Sequence, residues 1–134
     1  MKTLKHLSLS VLSFALLVIL LSGCKKDKDD NNNSNRNVKY ELSGTFTGKF
    51  KVIITDNESG TLVIDNVSIP WSKEVNYDNK VIAIGIGASV TTYGAAGQTA
   101  LLKIYSGGSV VKTTNGMADV NGALSLPALS HGFQ

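Results

Sequence analysis

Gly48-Lys49-Phe50-Lys51-Val52-Ile53-Ile54-Thr55 decides the fold. Phe50, Val52 and Ile54 fall on one side of an extended chain, and Phe46 is in phase with them. Thr47, Lys49 and Lys51 fall on the other side. A period of two marks a strand with one buried face. No window beyond residue 37 pairs helical spacing with a cap.

Downstream the pattern repeats. Asp56-Asn57-Glu58-Ser59-Gly60 is a turn cluster, residues 62–64 resume a strand, and Asp65-Asn66 is expected to break it. Val67, Ile69, Trp71 and Val75 then alternate with Ser68, Ser72 and Glu74. Pro70 lies inside that run. Proline has no ladder donor, so this strand is expected at an edge or with a bulge. Residues 81–90 place Ile82, Ile84, Ile86, Ala88 and Val90 on one face and Ala83, Gly85 and Gly87 on the other. Residues 93–98 read as a loop. Ala100, Leu102 and Ile104 alternate with Lys103 and Tyr105, and Ser106-Gly107-Gly108-Ser109 signals a tight hairpin returning through residues 110–113. The last strand is expected to carry Ala118, Val120, Leu124 and Leu126, with Pro127 ending it. Seven or eight short strands predict an all-β domain over residues 38–134, a single antiparallel β-sandwich of immunoglobulin-like type. Trp71 is the expected centre of its core.

Upstream, residues 25–37 carry no apolar side chain. Such a segment cannot offset the entropy of ordering and is expected to be a disordered tether, about 20 Å from end to end. Asp27, Asp29 and Asn31 mimic a calcium loop, but the sixth and twelfth positions hold Asn32 and Val38 rather than Gly and Glu. Before the tether, Lys2 and Lys5 precede an apolar run over residues 7–21 and the small pair Ser22-Gly23. That is the order of a cleaved secretory signal over residues 1–23. The run falls short of the about 20 residues that span a bilayer.

Charge excludes one class of partner. From Asn37 onward seven lysines face seven acids, so the domain is neutral. It lacks the basic footprint of a nucleic-acid binder, and no nucleic acid is expected. Cys24 is the only cysteine, which rules out an internal disulfide.

Leu21-Ser22-Gly23-Cys24 resembles the lipobox of bacterial lipoproteins. The resemblance implies cleavage before Cys24, a diacylglycerol on its sulfur, and the membrane as a partner through the acyl chains. Two chains suffice for stable anchoring. Lys25 after the cysteine, and the Lys-Asp run that follows, resemble outer-membrane sorting and surface-export tags. They imply a cell-envelope protein on the outer membrane, facing the periplasm or the cell surface.

A second resemblance lies in the domain. Tyr40-Glu41-Leu42-Ser43-Gly44, Lys51-Val52-Ile53-Ile54-Thr55, Val67-Ser68-Ile69-Pro70-Trp71-Ser72-Lys73-Glu74-Val75 and Lys103-Ile104-Tyr105-Ser106-Gly107-Gly108-Ser109-Val110-Val111-Lys112 are similar to the MmpS mycobacterial membrane protein family. The likeness covers about residues 38–126. It implies a small membrane-anchored β-sandwich outside the cytoplasm, in a family some of whose members accompany transporters of the resistance-nodulation-division type. The chain departs from that pattern in having a lipobox in place of a membrane helix and no late cysteine pair.

Catalytic chemistry finds no footing in the sequence. His131 is expected in a frayed tail without a carboxylate to orient it. Gly85-Ile86-Gly87 has no helix after it to cradle phosphate. No set of His, Cys and Asp has zinc spacing. The expectation is a non-enzyme without metal or cofactor: a lipid-anchored interaction or accessory domain with an envelope protein partner, assisting a transporter or an assembly. The alternative is a surface-exposed module for a glycan or small apolar ligand. Tyr93 and Tyr105, beside Gly-rich loops, are the candidate interaction residues.

Overall fold

Eight strands are divided between two layers in the computed structural model, which describes residues 35–57 and 60–134. The strands are β1 (Asn37–Gly44), β2 (Lys49–Ile54), β3 (Leu62–Val67), β4 (Trp71–Asn76), β5 (Ala83–Thr92), β6 (Thr99–Ser106), β7 (Ser109–Met117) and β8 (Leu129–Gly132). The signal, Cys24 and residues 25–34 of the tether lie outside the described residues. One sheet has the order β4-β1-β6-β7 and the other β3-β2-β5-β8, with every pairing antiparallel. The all-β sandwich is therefore as the alternation predicts. Its strand order is its own. In an immunoglobulin domain the first two strands share a sheet, whereas here β1 and β2 lie in opposite sheets.

The inward faces follow the period of two. Val38, Tyr40 and Leu42 of β1 and Ala100, Leu102 and Ile104 of β6 meet Phe50, Val52 and Ile54 of β2 and Ile84, Ile86 and Ala88 of β5. Trp71 is not the centre of this core. It sits half-buried on β4, an edge strand, while Tyr40 and Phe50 are fully enclosed. Pro70 directly precedes that edge strand, as a residue without a ladder donor requires.

Asp65-Asn66 does not end a strand. β3 continues through both, and the register against β2 slips between Phe50 and Val52. Asn66 takes up the extra residue at φ +58°, a left-handed conformation that asparagine tolerates. The fifth strand starts at Ala83, which leaves Ile82 outside it and exposed. The β6–β7 hairpin turns on Gly107 and Gly108, both at positive φ, as the Gly-Gly pair predicts.

The last strand lies elsewhere than expected. Residues 118–128 form an arch, with one bridge between Ser125 and Ser89. Leu124 and Leu126 do turn inward, but from this arch, into space beside Gly116 where a Cβ would meet both side chains at 3.3 Å. Val120 points out and is 88 % exposed. Strand β8 begins only after Pro127 and pairs with β5, so that His131 lies opposite Ile84 and not in a free tail. Phe133 fixes the end further, since its N–H donates to the Ile82 carbonyl at 3.0 Å.

Two tyrosines join the layers. The Tyr40 and Tyr77 hydroxyls are 2.7 Å apart, and Tyr77 donates to the Thr55 carbonyl at the end of β2. A hydroxyl has one proton. Tyr77 gives its own to Thr55, so Tyr40 must donate to Tyr77. Burial pushes the pKa of both hydroxyls up.

Candidate interaction surfaces

The strands run between two ends of the sandwich, and the ends differ in character. The chain enters at one of them. Ser106 Oγ donates to the Asn35 carbonyl, and Gly107 N–H donates to the Asn37 carbonyl at 3.0 Å. The Arg36 guanidinium donates to the Asp78 and Val81 carbonyls at 2.7 and 2.8 Å and lies over the Phe133 ring at 4.6 Å. This end is clamped by charge and hydrogen bonds.

The opposite end is built from the 93–98 loop and the 118–123 turn, locked together through the backbone. Gly94 N–H donates to the Gly122 carbonyl at 3.1 Å, Gly97 N–H to Ala118 at 3.0 Å, and Ala118 N–H to Gln98 at 2.8 Å. Gln98 Oε1 accepts from the N–H and hydroxyl of Thr47 and from the Ala95 N–H, at 2.8–3.0 Å. Asp119 Oδ1 accepts from the Asn121 and Ala123 N–H groups at 2.8 and 2.9 Å, which holds the second turn. Beneath, the Phe46 ring fills a slot between Gly48 and Gly94. A Cβ on Gly94 would lie 2.7 Å from the ring, so only glycine permits this approach.

At this end stand three exposed apolar side chains, Tyr93 and Val120 from the loops and Met117 from the last position of β7, at 70 %, 88 % and 67 %. Asp119 is the only charged residue over 93–98 and 117–123, and its carboxylate is turned onto its own turn. The result is a neutral, apolar, braced tip. The sequence singles out Tyr93, but its alternation places Val120 in a strand and gives no signal for Met117. The Asp119–Gly122 stretch carries a turn signal, Asn121-Gly122, that could have placed Val120 outside.

The structure does not bring the two candidate tyrosines together. Tyr105 ends β6 at the chain-entry side, and Tyr93 precedes its start, so a strand of about 25 Å separates them. Tyr105 is also occupied. Its hydroxyl donates to Glu41 Oε1 at 3.0 Å, and the Lys39 ammonium sits 4.2 Å above its ring. Lys39 closes on Glu41 Oε2 at 2.9 Å and Lys103 on Oε1 at 3.7 Å, so Glu41 centres a polar network on the outer face of its sheet. The Lys39 ammonium, chiefly, holds the Glu41 carboxyl below the usual carboxylate range. Glu41 in turn raises the Lys39 ammonium. Tyr105 reads as part of a cross-strand lattice, and Tyr93 as a free aromatic.

Among the described residues no three His, Cys, Asp or Glu side chains gather as metal ligands would. No protein-family model matches the chain, and no curated protein matches it in sequence.

Proposed function

We propose that the chain is a lipid-anchored, non-enzymatic protein of the cell envelope that holds a protein partner against the tip formed by Tyr93, Met117 and Val120. The carrying observation is the placement of these exposed apolar side chains on two braced loops and the adjoining end of β7, at the end opposite Asn35. Preformed loops lose little entropy on binding, and an exposed apolar cluster is the usual mark of a contact site. The Cys24 anchor rests on the lipobox resemblance, and the accessory role beside a transporter on the MmpS resemblance. With an anchored tether entering at Asn35, the tip lies at the end of the domain farthest from its own attachment point.

Site-specific photocrosslinking in intact cells tests this. A benzophenone side chain at position 93 should give one discrete protein adduct. The same probe at position 82, exposed but near the chain-entry end, should not. Equal adducts from both positions, or none from position 93, refute the tip as the contact. A discrete glycan adduct at position 93 would favour the ligand-binding alternative. Mass spectrometry of residue 24 tests the anchor, and an unmodified thiol there refutes it.

A further inference from the structure

Four strands end the two sheets, and three of these edges are guarded. β4 follows Pro70 and carries Lys73 and Glu74, and its outermost carbonyl, on Asn76, already accepts from the Asn57 amide at 2.9 Å. β3 is bulged at Asn66, with Asp65 paired to Lys51 at 3.3 Å. β8 has four residues. Pro, charge, bulge and brevity are the devices that keep an edge from recruiting another chain.

The fourth edge, β7, is nine residues long and holds one charge, Lys112. Its register slips near its start, between Ile104 and Tyr105, and from Lys112 to Met117 it runs regularly. The direction of its free groups follows from the ladder. Ala118 N–H donates to Gln98, which extends the β6–β7 register by one pair. Antiparallel pairs alternate between bonded and non-bonded. Gly116 and Thr114 therefore bond inward to Ala100 and Leu102, while Thr113, Asn115 and Met117 turn their N–H and C=O groups away from β6. Among the described residues nothing accepts or donates there. All three are exposed.

We infer that β7 pairs with β7 of a second copy of this chain, antiparallel about a two-fold axis at Thr114, joining two four-stranded sheets into one of eight. The sequence of the strand fits itself. Thr113 comes opposite the partner's Asn115, and the two exchange both backbone bonds, about four across the axis. Thr114 meets its own copy, and Lys112 comes opposite the partner's Gly116, so no like charges are opposed. A foreign strand is not needed to satisfy the edge. The pairing does not depend on lipidation at Cys24. Antiparallel strands place the two Asn35 residues at opposite ends of the dimer, and the two Tyr93 tips then point in opposite directions.

The test is sedimentation equilibrium of the full-length chain in density-matched detergent, where only protein mass registers. The wild-type chain should sediment at twice the monomer mass. Asn115→Pro removes an outward N–H that the fold itself does not use. Through the two-fold it deletes two bonds and should weaken association by about tenfold or more. Its circular dichroism and urea midpoint should stay close to wild type. Should proline disturb the strand, Thr113→Lys with Asn115→Lys charges the same edge without touching the backbone and should also give the monomer. A cysteine at Thr114 should crosslink two copies in membranes, while one at Ser130 on β8 should not. A monomer at every concentration overturns the inference. So does a dimer indifferent to both edge variants, because its interface would lie elsewhere.

Discussion

Removing the Tyr77 hydroxyl should cost more than removing the Tyr40 hydroxyl, although Tyr40 is the more deeply buried of the two, at 0 % against 2 % exposed. The reason is the direction of the relay, Tyr40 to Tyr77 to the Thr55 carbonyl. Tyr77→Phe strands a buried donor on Tyr40, at about 1–3 kcal/mol, and takes a bond from Thr55 worth about 1 kcal/mol more. The total is about 3 kcal/mol. Tyr40→Phe leaves Tyr77 still donating and empties only one acceptor lone pair, at about 1 kcal/mol. In the double variant the stranded donor is gone, so the cost should be about 2 kcal/mol, roughly 2 kcal/mol less than the sum of the single changes. Urea unfolding measures all three, followed by the fluorescence of Trp71, the sole tryptophan, and by circular dichroism. With a slope of about 1.5 kcal/mol per molar for a domain of this size, Tyr77→Phe should lower the midpoint by about 2 M. Additive costs, or a Tyr40→Phe variant weaker than Tyr77→Phe, would refute the relay.

Further outcomes follow from the same geometry. Both tyrosine hydroxyls have pKa values raised by burial, so their contribution is complete below the unfolded value of about 10 and is lost as pH rises beyond it. The wild-type urea midpoint should therefore fall above pH of about 10, and less steeply in the double phenylalanine variant. Glu41 is shifted the other way. Its contribution is present above the ordinary carboxylate value of about 4.3 and is lost as pH falls through its lower folded value. Glu41→Gln should flatten the acid limb of the midpoint-against-pH curve. Gly48→Ala would drive a methyl into the Thr92 carbonyl and to 2.5 Å from the Phe46 ring; calorimetry should show a loss of about 2 kcal/mol or more. Thr114→Pro deletes an N–H that bonds to β6 and strands the Leu102 carbonyl, at about 1–3 kcal/mol in urea unfolding. The same substitution one residue later, at Asn115, should cost little.

The strands that the sequence announces are those whose own alternation decides them. Residues 46–54 carry their inward face in plain view, and Gly107-Gly108 states its turn chemistry. What stays hidden is whatever depends on remote chain. Trp71 has the size of a core centre, but its strand became an edge through pairings of β1 with β6 that no local window contains. Leu124 and Leu126 alternate as a strand would, yet an arch that dips twice into the interior gives the same pattern. The candidate surface was half legible. Tyr93 stands beside a loop signal, but its neighbours Met117 and Val120 arrive through a backbone pairing between distant loops. Tyr105 is equally free in the local sequence, but Lys39 and Glu41, from the adjacent strand, close over it.

The order of the strands also sets a timetable. Only β2–β3 and β6–β7 are joined as neighbours within one sheet, and the other five connections pass between the layers. Val38 finds one partner on β4 at Val75, 37 residues later, and the other on β6 at Ser106, 68 residues later. β1 is available long before β6 emerges, so Val38, Tyr40 and Leu42 stay greasy and only half enclosed until most of the domain is at hand. Assembly should then come late and as a single event, over milliseconds to seconds as all-β domains of such distant pairing do, and a protein stalled before residue 106 would be one for chaperones to hold.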